Sequence, residues 1–370
     1  MKKLDYVNAL RGIAILAVLM VHTSLYGTAG VPYFLVKVFV QGARGVQLFF
    51  LISAFTLFLS HHHRQGKESS PTKNFFLRRF FRIAPMYYLG IAYYIWQDRL
   101  GSRYWLGDQP KITVSNIISN LTFTHGFNPY WFNSLVPGGW SIAVEMTFYF
   151  ILPFLFLKIK NINQAFFFFM LTLVINFGFQ KFLLKFPFII SAELWYNYIF
   201  MFFPSQLPIF SLGIIMYFFI MDKNVKILSA NMLLLFSLTV LAQLAVGNNY
   251  LLPNHILFGT VFLTFSIALS RQKFKFIVNP IINYIGKISF SMYLVHFAVL
   301  HWMAHFNFIN YVNNGLVNYI LRYLIVLVIS ILISTFLYHF IEINGQLIGS
   351  AIIRNQELKY KNGSSILKIS

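Results

Sequence analysis

An arginine and a histidine stand eleven residues apart in the stretch LRGIAILAVLMVH, with no charged residue between them. At 3.6 residues per turn, this spacing returns Arg11 and His22 to within roughly 20° of one helical face and separates them by about 16 Å along the axis. A helix over this stretch therefore carries a guanidinium and an imidazole on one stripe. Because imidazole exchanges protons near neutral pH, His22 is a candidate general base.

A carboxylate lies at a comparable place in the stretch PGGWSIAVEMTFYF. Glu145 follows Trp140 by five residues, or about 8 Å of helix, so it is predicted at a depth similar to that of His22. Two interpretations are open. A carboxylate can orient an imidazole that accepts a proton, or the two side chains can form a buried hydrogen bond that only joins two helices.

Two arginines stand three residues apart in RRFFRIAPMYY. Arg79 and Arg82 share one helical face at the mouth of an apolar stretch. Guanidinium groups bind phosphate through paired hydrogen bonds, so this pair is a candidate phosphate site. The alternative is a positively charged anchor at the inner surface of a membrane.

A third polar pattern occupies GKISFSMYLVHF, where Gly286, Ser289, Tyr293 and His296 fall nearly on one helical stripe. Small residues let helices approach closely, and hydroxyl or imidazole groups bond across such contacts. This pattern favours a packing interface or a polar network. Glu342, in LYHFIEIN, is expected to cap or pair at the inner surface.

The sequence offers little for a metal site. It has no cysteine, which excludes disulfides and thiolate ligands. His61, His62 and His63 are consecutive, so on a helix they cannot share a face, and a solvated loop is predicted instead. We expect neither a metal nor a prosthetic group.

Composition decides the class of protein. The chain is 58% hydrophobic and 10% charged, with a mean hydropathy of +0.67, whereas soluble domains carry roughly 25% charged residues. Long apolar runs without dyad alternation predict an all-α polytopic membrane protein with about ten transmembrane helices. The runs lie near 5–26, 44–60, 80–97, 140–157, 164–184, 195–220, 227–246, 251–270, 284–305 and 317–340.

Positive charge orients these helices. The net charge is +20, and with the N-terminus inside, 20 basic residues fall in inner segments against 8 in outer ones. Excess Lys and Arg mark cytoplasmic loops, so both termini are predicted in the cytosol, and nucleic acid is not needed to explain the charge. We expect one membrane domain over 1–345 and a short polar cytoplasmic tail over 346–370.

Taken in order, the motifs resemble the membrane acyltransferase-3 family. Its first-span pattern of Arg, ten residues and His is met by Arg11 and His22, and its Arg-x-x-Arg by Arg79 and Arg82. Further segments are similar in W-S-x-x-x-E, G-x-x-S-x-x-x-Y-L-x-H and the late Y-x-x-I-E: Trp140, Ser141 and Glu145, then Gly286 to His296, then Tyr338 to Glu342. Met146 stands where many members carry a second acidic residue.

The resemblance implies an O-acyltransferase of the bacterial plasma (inner) membrane. The donor would be acyl-CoA, usually acetyl-CoA, reached from the cytosol, with Arg79 and Arg82 receiving its phosphates. The acceptor would be a glycan or lipid-linked sugar at the outer face. His22 would be the base or a covalent acyl carrier, with Arg11 toward the donor, and the sequence leaves these two routes and the oligomeric state open.

Two other classes of function are compatible with polar residues inside a membrane. A transporter or flippase of a glycolipid or anion also needs intramembrane Arg, His and Glu, although the inverted halves common in such proteins are absent from this sequence. A noncatalytic subunit of an envelope complex is the other, and the intact Arg11, His22 and Glu145 argue against a decayed site.

Overall fold

The computed structural model describes residues 4–221, 229–247 and 252–366, and every regular element among them is helical. The all-α prediction is confirmed for this part of the chain. Some of the sequence-based observations lie outside the described residues, namely the basic residues Lys2, Lys3, Lys223, Lys226 and Lys368, the first residues of the stretches 227–246 and 251–270, and the tail end 367–370.

The helices follow one another along the chain with short connections in most places. In order they are α1 (Asp5–Ser24), α2 (Tyr33–Val40), α3 (Gly45–Arg64), α4 (Pro71–Asp98), α5 (Val114–Leu121), α6 (Gly139–Lys158), α7 (Ile162–Lys185), α8 (Ala192–Met201), α9 (Phe203–Met221), α10 (Ala230–Val246), α11 (Asn254–Arg271), α12 (Pro280–Lys287), α13 (Ser289–His305), α14 (Gly315–Leu337) and α15 (Ile343–Ile366). A π-helical turn over Tyr338–Glu342 joins α14 to α15.

Each predicted apolar stretch falls on one of these helices or on a broken pair of them. Within the described ranges, six helical stretches are long and apolar enough to cross a membrane, by length and composition. They are Asp5–Ser24, Tyr33–Arg64, Gly139–Lys158, Ile162–Lys185, Ala192–Met221 and Gly315–Tyr360. The chain is thus a multi-pass membrane protein, while ten crossings and cytosolic termini stay predictions.

Helix α1 is the central element because it packs against α3, α12, α13 and α14. Its contact with α12 depends on glycine at both surfaces. A Cβ at Gly286 would overlap the carbonyl of Asn8, and one at Gly12 would overlap the carbonyl of Ile282. Small residues allow this backbone approach. The polar stripe of α12 and α13 is thereby brought against α1, as the sequence pattern indicates.

The segment between α4 and α6 forms a cap over the start of α6. Arg103 holds it together by donating to the carbonyls of Ser134 and Leu135, at 3.1 and 2.9 Å. His125 Nε2 lies 3.0 Å from the carbonyl of Gly139, the first residue of α6. Burial lowers the pKa of His125 to about 4, so its ring is neutral at pH 7. The cap fixes where α6 begins, and with it the depth of the side chains that α6 carries.

The structure corrects the prediction of a solvated loop for the histidine triplet. His61, His62 and His63 form the last turn of α3, and the ring of His61 stacks on Phe156 with centroids 3.8 Å apart. The loop was predicted because consecutive histidines cannot share a helical face as metal ligands, but that argument excludes only a metal site, and a helix can end in polar residues. His61 is half-buried against the bundle, whereas His62 and His63 are exposed.

The described part of the predicted tail, 346–366, continues helix α15. Glu357 on this helix accepts hydrogen bonds from Ser69, at 2.9 Å, and from Asn74, at 2.8 Å. Helix α15 therefore lies against the start of α4.

Candidate functional site

A polar cavity of about 230 Å³ lies among α1, α3, α4, α6, α12, α13 and the turn that leads into α15. Four basic and two acidic side chains line it, so its charge is positive overall. These six are Arg11, Arg79, Arg82, Lys287, Glu145 and Glu342. Charged groups are costly inside a membrane protein and mark functional sites by default.

Most of the predicted site residues meet in this cavity. Those that line it are Arg11, Arg79, Arg82, Ser141, Glu145, Ser289 and Tyr293. They come from four helices and are separated by up to 282 positions in the sequence, so only the tertiary packing places them together. The structure brings these seven residues together, and their roles stay predictions.

Glu145 lies about two turns into α6 and joins this helix to α3. Its Oε1 accepts hydrogen bonds from Ser53 of α3 and from Tyr149, the next turn of α6, each at 2.5 Å. The guanidinium carbon of Arg79 on α4 lies 6.0 Å from the centre of the Tyr149 ring. The carboxylate is thus held in place by two hydroxyls beside a cluster of cations.

The arginines line the cavity from α1 and α4. Arg79 and Arg82 are one turn apart on α4, as their spacing predicts, and Arg11 extends from the first half of α1. The Nε of Arg79 is buried and meets no hydrogen-bond acceptor in the part of the chain that the structure describes. An unpaired buried donor is costly, so this wall is suited to an anion that supplies the missing acceptor.

At the start of α6, a small cluster of hydrogen-bonded groups, here called the polar knot, borders the cavity through Ser141 and Tyr293. The hydroxyl of Tyr293 donates to the carbonyl of Gly138 at 3.0 Å, and the Ser141 Oγ lies 2.9 Å from both groups. Gly138 has a φ of 78°, and a Cβ there would meet the Tyr293 hydroxyl. Glycine is therefore required at the turn. Trp140 is buried beside the knot and packs edge-on against Phe50, at 6.0 Å between ring centroids.

His22 pairs with His296 and does not line the cavity. His22 Nδ1 lies 3.0 Å from Nε2 of His296 on α13, and the ring centroids are 5.0 Å apart. The Nδ1 of His296 in turn lies 3.0 Å from the carbonyl of Met292, and His296 is fully buried. Phe297 packs against the His22 ring, at 4.4 Å between centroids.

The predicted pairing of His22 with Glu145 is therefore wrong. Equal depth does not fix the direction in which a side chain points, and α1 packs against α13, whereas α6 packs against α3 and α9. Arg11 and His22 do lie on one helix, but only Arg11 contributes to the cavity. The Tyr293 ring, 5.9 Å from that of His296, lies between the cavity and the histidine pair.

Two ionisable residues matter more than the sequence indicated. Glu342 is buried and accepts a hydrogen bond from Ser291 at 3.1 Å, as the expectation of a pairing role allows. Arg322 is 1% exposed. Its guanidinium donates to the carbonyls of Gly27 and Ile309 at 3.0 and 2.9 Å, and to Thr23, the residue after His22, at 3.4 Å. The sequence signal for Arg322 is its position inside an apolar run, although the charge count takes it only as one of the eight outer basic residues.

Comparison with known proteins gives one match. A family model described as an acyltransferase domain matches residues 4–339 of this chain. That range contains every cavity residue except Glu342 and Gln346. Neither the curated proteins nor the solved structures contain a match.

Proposed function

The chain belongs to this acyltransferase family, and from that premise we propose that it is an O-acyltransferase of the bacterial plasma (inner) membrane. It moves an acyl group, in the simplest case acetyl, from cytosolic acyl-CoA to a sugar hydroxyl of a cell-envelope or secreted glycan. The observation that carries the proposal is the convergence of Arg11, Arg79 and Arg82 with Glu145 in one cavity inside a helical membrane protein.

The binding of the acyl donor is assigned to the side of the cavity that Arg11, Arg79 and Arg82 line. Arg79 and Arg82 bind the phosphates of acyl-CoA, because forked guanidinium groups match phosphate oxygens and the Arg79 Nε lacks another acceptor. The cavity of about 230 Å³ is smaller than the roughly 300–1,000 Å³ of ordinary ligand pockets. It therefore holds the slender thioester arm and the pyrophosphate, and the adenosine stays outside it.

The acceptor end is assigned to His22. At its site, the imidazole takes the proton of the sugar hydroxyl as the oxygen attacks the thioester carbon, or it carries the acyl group between donor and acceptor. Tyr293 lines the cavity, and its ring lies 5.9 Å from that of His296, the partner of His22, so the thioester has to pass Tyr293 to reach His22.

Mass spectrometry of cell-surface glycans tests the proposal. A strain that lacks the chain is complemented with the unchanged protein, with His22→Ala or with His301→Ala. His301 is a matched control because it is a half-buried histidine on α13 that does not line the cavity. Immunoblots measure the amount of each protein in the membrane.

We expect the unchanged protein and His301→Ala to restore the acyl groups. His22→Ala should lower acylation by at least the roughly 10²–10⁴-fold that a positioned proton-transfer group contributes. Glycans that carry no acyl group even with the unchanged protein would refute the proposed activity. Full acylation by His22→Ala would refute the role of His22.

A further inference from the structure

The histidine pair fixes where its protons lie. The Nδ1 of His296 lies 3.0 Å from the carbonyl oxygen of Met292, one turn earlier on α13. A carbonyl only accepts hydrogen bonds, so Nδ1 of His296 must carry a hydrogen. A neutral imidazole has one N–H, which leaves the Nε2 of His296 with a lone pair.

The same reasoning applies to the ring of His22. Its Nδ1 lies 3.0 Å from Nε2 of His296, and because that atom is an acceptor, Nδ1 of His22 must be the donor. A neutral His22 then carries its only hydrogen on Nδ1, and its Nε2 is left unprotonated. The His22 ring also hydrogen-bonds the backbone of Val18, one turn earlier on α1, and that carbonyl, like the one of Met292, can only accept.

We propose that His296 is a positioning residue which holds His22 in its Nδ1–H tautomer, so that Nε2 of His22 is the nitrogen that reacts. The proposal rests on the proposed function, in which His22 acts on the acyl group or on the acceptor. It assigns to a neutral histidine the orienting task that Glu145 was predicted to perform. Glu145 is engaged instead by Ser53 and Tyr149.

The step balances with this assignment. The Nε2 of His22 takes the proton of the sugar hydroxyl while that oxygen bonds to the thioester carbon and the carbon–sulfur bond breaks. The thiolate of CoA leaves and receives the proton from Nε2. While His22 is an imidazolium, its Nδ1–H bond to His296 is charge-assisted and therefore stronger. If His22 carries the acyl group instead, Nε2 is again the nitrogen with the free lone pair.

A neutral partner suits this location. His296 is 0% exposed, and a carboxylate in its place would bring a charge into a fully buried position. Burying a charge without a permanent partner is costly. The His296–Met292 pair orients the ring of His22 and adds no charge to the resting protein.

The first test is the tautomer itself. The full-length protein, labelled with ¹⁵N-histidine and held in lipid nanodiscs, is compared with the variant His22→Gln to assign the His22 signals. We expect Nδ1 of His22 to carry the hydrogen, although the Nε2–H form is the commoner one in free imidazole side chains. In His296→Phe, where Val18 is left as the hydrogen-bond partner of the His22 ring, the population of the Nε2–H form should rise. A His22 with hydrogen on Nε2 in the unchanged protein would refute the proposal.

The second test is kinetic and uses acetyl-CoA with isolated cell envelopes as acceptor. His296→Phe keeps a ring but removes the acceptor nitrogen, and loss of tautomer control in a related arrangement costs up to about 10⁴-fold in kcat. We expect a loss of about 10²–10⁴-fold in kcat with an unchanged KM for acetyl-CoA. His296→Gln offers an amide oxygen to Nδ1–H and should recover to within about tenfold of the original rate. His301→Phe is the matched control and should leave the rate unchanged.

The outcomes separate this inference from the proposed function. If His22→Ala abolishes transfer but His296→Phe does not slow it, the proposed function stands and the role of His296 is refuted. If His22→Ala transfers normally, the proposed function fails regardless of the tautomer. If His296→Phe fails to fold, the spectrum of the unchanged protein and the rate of His296→Gln still decide whether His296 sets the tautomer of His22.

Discussion

Glu145 offers a graded test of how the cavity is held together. Its Oε1 accepts two hydrogen bonds of 2.5 Å, from Ser53 and Tyr149, beside the guanidinium of Arg79. Glutamine keeps the acceptor oxygen and removes the charge, whereas leucine removes both. The two substitutions therefore separate the contribution of charge from that of the hydrogen bonds.

The expected magnitudes follow from these contacts. A hydrogen bond to an ionised group contributes about 1.5–3 kcal/mol, and one between neutral groups about 0.5–1.5 kcal/mol. Each bond should weaken by about 1 kcal/mol in Glu145→Gln, which lowers the free energy of unfolding by about 2 kcal/mol. Glu145→Leu leaves two hydroxyls unpaired and the cations without a carboxylate, at a cost of about 3–5 kcal/mol.

Equilibrium unfolding by SDS in mixed micelles measures both variants, with the free energy extrapolated linearly. Glu193 is the matched control, because it also accepts a hydrogen bond from a tyrosine, Tyr104, but is exposed. Exposed interactions contribute less than about 1 kcal/mol. Glu193→Gln and Glu193→Leu should therefore leave the free energy of unfolding nearly unchanged. Equal losses for Glu145→Gln and Glu145→Leu, or losses as small as those at Glu193, would refute the reasoning.

Three further predictions address the binding of the donor, the support of His22 by Arg322 and the orientation of the chain in the membrane. Changing both Arg79 and Arg82 to Ala should weaken acetyl-CoA binding by about 100-fold in calorimetry, because about 3 kcal/mol of charge-assisted bonding is lost; Lys at both positions should recover part of it, and unchanged affinity would favour the anchor interpretation. Arg322→Met should lower acyl transfer at least tenfold, because it removes the guanidinium that holds the backbone directly after His22. Binding of acetyl-CoA should be kept because Arg322 does not line the cavity, and normal transfer would contradict this role. Because the chain lacks cysteine, single cysteines can report topology: Ser102→Cys should react with an impermeant maleimide in intact cells and Gln65→Cys only after permeabilisation, and the reverse pattern would overturn the assigned orientation.

Much of the site was visible in the sequence because each motif is short and helical. The three-residue spacing of Arg79 and Arg82 places them on one face of any helix, and the structure keeps them so. The same holds for Gly286 and Tyr293, whose stripe predicts close packing and polar contacts across helices. Tyr149 could have been found too, since it follows Glu145 by one turn. Local periodicity carries this information without any knowledge of neighbouring helices.

The partner of His22 and the burial of Arg322 depend on which helices are neighbours, and the periodicity of a sequence does not specify neighbouring helices. Depth placed His22 and Glu145 at one level, but the packing of α1 on α13 gives His22 a histidine partner instead. From the sequence, Arg322 is expected at the outer surface of the membrane. In the structure it is buried and donates hydrogen bonds to backbone carbonyls.

The sequence by itself determined the class of the protein, because the low charge and long apolar runs admit only helices that bury their backbone groups within a membrane. It also determined the residue types of the site and their order along each helix, since these depend on 3.6 residues per turn. The tertiary structure alone decided which side chains share the cavity and that His22 pairs with His296. Those outcomes depend on contacts between helices far apart in the chain, such as the glycine contact of α1 with α12, which no local pattern specifies.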